Sequence, residues 1–310
     1  MFRPGDSVLV ACSGGPDSVC LLYSLWHLRR LLRIHLEVFH FDHRLRADSS
    51  GDAAYARRLA DRLELPFHLR VAGDAPPRGA SVEVWARDAR LGAARAVLRE
   101  TGADHLALGH TMDDQAETVL LGLVLGWGPE GLAGMSPAGG EAVRPLLEIT
   151  RIEVEAFCRA LGLRPRRDPS NADPRFLRNA IRLQVIPALE RATGRSVRAT
   201  IARSAELVRS DQEVLWRGAD AVAARLVEPT PMGCRIPAVE LMGLPREIAG
   251  RVVRYAIRSI GGTWTLADVE AVLDLGAGRP GRRRDLGSGS TAKRDRVYLS
   301  LSRTSPESRV

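Results

Sequence analysis

The stretch from Val8 to Ser18, VLVACSGGPDS, constrains this chain more than any other. An apolar β-branched run breaks into Ser-Gly-Gly, and a helical pattern follows from Val19 to Leu32. That order predicts a strand, a tight loop and a helix N-terminus. Glycines let backbone N–H groups turn inward, and the positive end of the helix favours negative charge, so the loop is built for an anion. Ser13 and Ser18 add hydroxyl donors. Asp17 fits beside a phosphate only with a cation between them, which predicts a Mg²⁺-nucleotide. Gly-Gly before Pro-Asp is also ordinary turn chemistry, and at this point a plain helix connector remains the alternative. The stretch is neither GxxxxGKS/T, since no Lys follows, nor GxGxxG, since the glycines are adjacent.

The segments that follow alternate. Ile34 to Phe41, Phe67 to Val71, Asp104 to Leu108 and Val143 to Leu147 read as strands. The helices run after Asp48, from Ser81 to Thr101, directly after GHT at 109–111, and from Glu148 to Leu161. Strands and helices in units of about 30 residues predict an α/β fold with a doubly wound parallel sheet. Ligands bind beyond the carboxyl ends of such strands, where Ser13, His43 and His110 fall. The loop GWGPEGLAGMSPAGG at 126–140 fits neither periodicity and reads as a connector or lid.

The second half is organised differently. Val197 to Leu226 is one long or two short amphipathic helices, Arg246 to Ile260 and Leu266 to Leu275 are further helices, and Thr265 is a start signal. Arg282 to Ser302, with the turn GSGS, predicts a basic hairpin. The expected organisation is therefore residues 1–190 as a nucleotide-binding catalytic domain and residues 191–310 as a smaller, mainly helical domain ending in a basic β-hairpin. The formal charge is +8: residues 1–190 carry 24 basic and 24 acidic side chains, residues 191–310 carry 21 and 13. A balanced catalytic half with a basic appendage points to a polyanionic partner. No apolar run approaches the roughly 20 residues needed to cross a bilayer, and the charged start MFRPGD lacks a secretory core, so a cytoplasmic protein with no membrane partner is expected. Four scattered cysteines form no CxxC pair. Nothing here specifies a homodimer or excludes one.

Two further constellations carry chemistry. His110, Asp114, Glu117 and Thr118 share one face near the start of a helix, and the concentration of His, Asp and Glu beside a strand end favours a metal or amine site over mere capping. In DPSNADPRFLRNAIR at 168–182, a polar turn precedes a helix on which Arg178 and Arg182 lie one turn apart, a pair suited to phosphate. A solvated arginine face is the competing reading of those residues taken alone.

SGGPDS at 13–18 resembles the SGGxDS loop of the PP-loop ATP pyrophosphatase superfamily, through Ser13, Gly14, Gly15, Pro16, Asp17 and Ser18. Taken in order with HFDHRLRADS at 40–49, GHTMDDQAET at 109–118, GLAGM at 131–135, RPLL at 144–147 and DPSNADPRFLRNAIR, it is similar to the tRNA(Ile)-lysidine synthase family. Leu125 departs from the arginine many members carry there. The resemblance implies a fold of adenine nucleotide alpha hydrolase-like type, with ATP held at residues 13–18 and Mg²⁺ at Asp17. It implies His110, Asp114 and Arg178 as catalytic residues, and substrate contacts at His43, Glu117, Asn171, Arg182, Arg283 and Arg284. The implied reaction has two steps on the wobble cytidine of an isoleucine tRNA with a CAU anticodon. The C2 oxygen attacks the α-phosphate of ATP and releases pyrophosphate, then free lysine displaces AMP to leave lysidine. A PP-loop tRNA thiolase, or an RNA-binding module on an inactive nucleotide fold, are the alternatives.

Overall fold

A computed structural model describes residues 1–45, 48–73, 75–77, 82–166 and 175–303. The chain forms two compact units, Met1–Arg209 and Ser210–Val310.

The first unit begins with β1 (Ser7–Ala11), α1 (Pro16–Leu32), β2 (His35–Asp42), α2 (Ser49–Arg62), β3 (Phe67–Val71), α3 (Val82–Thr101) and β4 (His105–Ala107). It continues with α4 (Met112–Val124), α5 (Gly128–Leu132), β5 (Ala138–Gly139), β6 (Ala142–Val143), α6 (Arg151–Ala160), α7 (Leu177–Ala180), a π-helical turn at Ile181–Val185, and α8 (Ile186–Thr193). The first half of α9 (Val197–Leu226) completes it. The sheet runs β3-β2-β1-β4-β6-β5, parallel except for β5. Val8, Leu9 and Val10 are all fully buried, because helices cover both faces of the sheet. On one face α1 and α6 pack Val19, Leu22, Val154 and Cys158 against Val8 and Val10. On the other, Ala94, Val97 and Leu98 of α3 meet Leu9, Phe39 and Leu106. The strand order reverses at β1, so the loops after β1 and β4 face one crevice at their carboxyl ends.

Several expectations shift locally. The strand read at Val143 to Leu147 stops at Val143: Pro145 has no N–H for a ladder, and the Arg144 N–H turns to Pro137 O, closing a small β5–β6 hairpin inside the glycine-rich loop. That loop also holds α5, started by Pro129. The helix after it begins at Arg151, where Thr150 and Glu153 form a reciprocal capping box. The helix start expected at Ser81 and the polar turn expected at the start of the 168–182 stretch, with its Asn171, lie outside the described residues. The π turn has a local cause. Pro187 lacks an N–H and its ring opposes the carbonyl four residues back, so the turn before it widens and Ile186 N–H reaches Ile181 O.

The division between the units falls at 209, beyond the 190 read from the sequence. Val197 and Ile201 of α9 pack against Ala116, Ile181 and Ile186, which ties the first half of that helix to the first unit. The second unit holds the rest of α9, β7 (Glu228–Thr230), β8 (Gly233–Pro237), α10 (Ala238–Met242), α11 (Arg246–Ser259), α12 (Leu266–Ala277), β9 (Arg283–Leu286), β10 (Ser290–Arg294) and β11 (Tyr298–Arg303). The expected hairpin is three strands of a five-stranded antiparallel sheet, β7-β8-β11-β10-β9. The β7–β8 pair is hidden in the sequence because Pro229, Pro231 and Pro237 punctuate it like a loop. The core of this unit joins Ile236, Leu241, Val252, Val253, Ile257, Val272, Leu299 and Leu301. Among the described residues no helix is long and apolar enough to cross a membrane.

Candidate active site

The loop after β1 is braced from within and from outside. Gly15 caps α1 without a side-chain acceptor and Pro16 opens the helix, so the N–H groups of Asp17 and Ser18 have no partner inside it and carry the positive end of its dipole. The Ser18 hydroxyl donates to Gly15 O (2.9 Å), accepts from Gly14 N–H (3.2 Å) and lies 3.2 Å from Ser13 Oγ. Ser18 therefore shapes the loop, and Ser13 is the hydroxyl left for a ligand. Gly14 has φ +91°, and a Cβ there would stand 3.2 Å from the Tyr55 ring. A Cβ at Gly109 would stand 3.0 Å from the backbone of Asp17, so only glycine lets the start of the β4–α4 loop lie against this loop. Arg166 donates its N–H to Gly14 O (2.9 Å) while its guanidinium pairs with Asp52 and Asp48, tethering the loop to α2.

Opposite the loop, Thr111 caps α4, and Asp114 Oδ2 accepts from both its N–H and its hydroxyl (2.9 Å each). Asp114 Oδ1 faces Arg178 (3.2 Å), Arg182 (3.4 Å) and Arg151 (3.7 Å). Glu117, only 1% exposed, takes Arg178 Nε at 2.9 Å and Arg182 Nε at 2.5 Å. Arg151 reaches on to Asp17 Oδ2 (3.3 Å). Thus the glycine loop, α4 and the α7 segment meet in one network of three carboxylates and three guanidiniums. Arg178 and Arg182, read as a phosphate grip, face Asp114 and Glu117. Thr118 donates to Asp114 O within the helix.

Titration follows from burial and from this charge arrangement. Burial pushes the Asp17 carboxyl up to about 6; Asp114 adds to the rise, and Arg151 and Arg182 oppose it. For Asp114, burial acts upward, but Arg178, Arg151 and the Thr111 N–H outweigh it and hold the group below the usual carboxylate range. His110 is pushed down to about 3 by burial and by Arg144, Arg178 and Arg90. His43 falls to about 4 through burial and Arg90; its ring lies 4.7 Å from Phe41 and 6.5 Å from Trp85. Both histidines are neutral near pH 7.

The network leaves out some of the residues read from the sequence. Arg283 and Arg284 lie exposed on β9 in the second unit, Arg283 paired with Asp285 at 3.0 Å. Conversely, Arg151 and Arg166 belong to the site although no motif marks them. Arg151 opens α6 and Arg166 follows that helix, and only the fold brings them to Asp17 and Gly14. A nucleotide fits this crevice: the free donors of α1 and the close glycines suit phosphate oxygens. Asp17 Oδ1 is buried without a partner, and as a hard oxygen donor it suits Mg²⁺ shared with those phosphates. Among the described residues no three His, Cys, Asp or Glu side chains gather as a metal cage.

A PP-loop domain model matches residues 3–189. The tRNA(Ile)-lysidine synthase of Solibacter usitatus is 39% identical over 308 residues, covering 97% of this chain and 68% of that protein. The chain belongs to the tRNA(Ile)-lysidine synthase family. The family members of Symbiobacterium thermophilum and Geobacter sulfurreducens are 39% and 42% identical, over 85% and 83% of this chain. The chain spans 57% and 56% of their lengths. Among solved structures, the U34-tRNA thiolase of Methanococcus maripaludis shares the fold, with a TM-score of 0.58 and 18% identity over 67% of this chain and 74% of that one.

Proposed function

We propose that this chain consumes ATP, with Mg²⁺, to join free lysine to C2 of the wobble cytidine in the CAU anticodon of isoleucine tRNA, giving lysidine, AMP and pyrophosphate. The observation that carries this reading is the single ion-pair network linking the glycine loop, GHTMDDQAET and the Arg178–Arg182 segment. These segments lie far apart in sequence, and they are the ones that carry the resemblance to the family. A nucleotide fold alone would require only the first.

The residues take roles from their environments. The α1 N–H groups and Ser13 would hold phosphate oxygens, and Asp17 would hold a Mg²⁺ that would supply positive charge against the phosphates during adenylyl transfer. The C2 oxygen of cytosine is a poor leaving group until it is adenylated, which is why ATP is required. Asp114, held ionised by Arg178 and Arg151, and Glu117, paired with Arg178 and Arg182, position the incoming amine rather than deprotonate it. His110 is neutral and its Nδ1 has no partner, so it can accept a proton. Phosphates entering the crevice would offset Arg144, Arg178 and Arg90, the charges that depress it, and so strengthen it as a base. The target base lies in an unpaired loop and reaches a pocket without melting a helix. A sulfur-transferring reaction is disfavoured by the thiols: Cys12, Cys20, Cys158 and Cys234 are all buried, and burial pushes Cys12 and Cys158 up to about 11.

The test is pyrophosphate release by the purified chain with ATP, lysine and isoleucine tRNA. Release over many turnovers that requires both lysine and this tRNA, with labelled lysine recovered in the RNA, is the expected result. Release without incorporation of lysine, or no release, would overturn the reading.

A further inference from the structure

The carboxylates assigned to the amine are already fully engaged in the free chain. Glu117 Oε1 takes Arg182 Nε at 2.5 Å, and its Oε2 takes Arg178 Nε and Arg182 Nη2 at 2.9 Å each. Asp114 Oδ2 holds both donors of Thr111, and its Oδ1 faces Arg178, Arg182 and Arg151 at 3.2, 3.4 and 3.7 Å. The two sets of partners lie at different depths. The Glu117 and Asp114 side chains are 1% and 11% exposed, against 25%, 22% and 20% for Arg151, Arg178 and Arg182. A ligand entering from solvent therefore meets guanidinium before carboxylate. Counting Asp17, which is ionised at pH 7.5, three carboxylates face three guanidiniums, so the network is formally neutral. The one oxygen of the three carboxylates without a partner among the described residues, Asp17 Oδ1, is the one that suits Mg²⁺.

An ammonium entering this network alone adds an uncompensated charge to a sparsely solvated site, and an arginine must give up its carboxylate to receive it. Both changes are costly. An anion meets neither obstacle, because it draws on the guanidiniums and leaves a negative balance that an ammonium then cancels. From this arrangement we infer that the three arginines close the site to lysine until the nucleotide arrives, so that ATP binds first and its arrival opens the place for the amine. The phosphates draw Arg151, Arg178 and Arg182 toward themselves, and Asp114 and Glu117 are released to the ammonium. The same arginines thus serve two partners in turn, the carboxylates in the free chain and the nucleotide in the loaded one. The identity of the amine as lysine rests on the proposed lysidine-forming function; the cover of arginine over carboxylate does not.

Calorimetry on the full chain at pH 7.5 tests this by measuring lysine binding alone and with saturating Mg²⁺ and α,β-methylene-ATP, an analogue that cannot release pyrophosphate. Lysine is expected to bind at least about tenfold more tightly with the analogue present, and the analogue to bind more tightly with lysine by the same factor. Arg182→Gln removes part of the cover and leaves the network with a net negative charge, so lysine should bind this variant without nucleotide and the coupling should shrink. Arg151→Gln makes the same change from the Asp17 end and decides the matter where Arg182→Gln fails to fold. Equal lysine affinity with and without the analogue overturns the inference and leaves the proposed function standing. Coupling that survives undiminished in both variants also overturns it, since it would then come from direct contact between the two ligands. Lysine bound in neither state overturns the proposed function together with the inference.

Discussion

Asp17 shows how one side chain trades stability for a ligand. In the unfolded chain its carboxyl ionises near 3.8, whereas in the fold burial and Asp114 keep it protonated up to about 6. The folded state therefore holds more protons in that window, and stability drains away as pH rises through it. Such a rise, already net of the Arg151 contact, corresponds to roughly 3 kcal/mol at neutral pH. Asp17→Asn is thus expected to be more stable than the wild type at pH 7.5 and close to it at pH 3.5, while losing Mg²⁺-dependent turnover. Urea unfolding at the two pH values checks this: a stability difference that does not change with pH would show that burial of Asp17 is not strained. At this scale the sequence is readable where a residue type has one use beside phosphate, as with Ser13 and Asp17. It is not readable for Ser18, whose hydroxyl turns inward to Gly15 O. Nothing in SGGPDS distinguishes the bracing serine from the free one.

Helix α4 couples local folding to chemistry, because the carboxylate that completes its capping box also faces three arginines. Thr111→Ala removes an N-cap, expected to cost about 1 kcal/mol in stability. It also frees Asp114, so turnover should fall by more than that stability loss explains, and Thr111→Ser should restore both. Stability and steady-state rates of the two variants decide it; an unimpaired Thr111→Ala rate would separate the cap from the site. Glu117→Ala is a harsher change. It leaves Arg178 and Arg182 sharing one oxygen of Asp114, and breaking a buried pair on one side costs about 3 kcal/mol or more. Denaturant midpoints should place Glu117→Ala well below Glu117→Gln, which keeps an acceptor. The face carrying Asp114 and Glu117 is legible from their spacing of three, and the arginine pair from its spacing of four. Their meeting is not, because no local pattern relates residue 117 to residue 182. It depends on Ala116, Ile181 and Ile186 packing together, and apolar residues of that kind fit many partners.

Over the whole molecule, the position of the unit boundary changes what the charge means. Divided at residue 190, the excess of +8 lies entirely in the C-terminal part. Divided where the chain folds, residues 1–209 hold 29 basic and 25 acidic side chains and residues 210–310 hold 16 and 12, so each unit carries +4. The arginines that change sides sit on α8, in the turn after it and on the first half of α9, with Arg191, Arg195 and Arg203 exposed. Composition could not reveal this, since a helix of 30 residues with one periodicity carries no mark where its packing partner changes. A polyanion held by the second unit alone would be released by neutralising Arg282, Arg283 and Arg284 and would ignore changes on α8 and α9. With the charge shared, replacing Arg191, Arg195 and Arg203 by Gln should weaken tRNA binding about as much as replacing the three residues at 282–284. Each triple variant should lower the slope of log affinity against log salt, by about 0.9 for every phosphate left without its arginine in paired RNA, if that RNA behaves as duplex DNA does. Equal slopes for wild type and the α8–α9 variant would return binding to the second unit. Equal slopes for wild type and the 282–284 variant would assign it to the first.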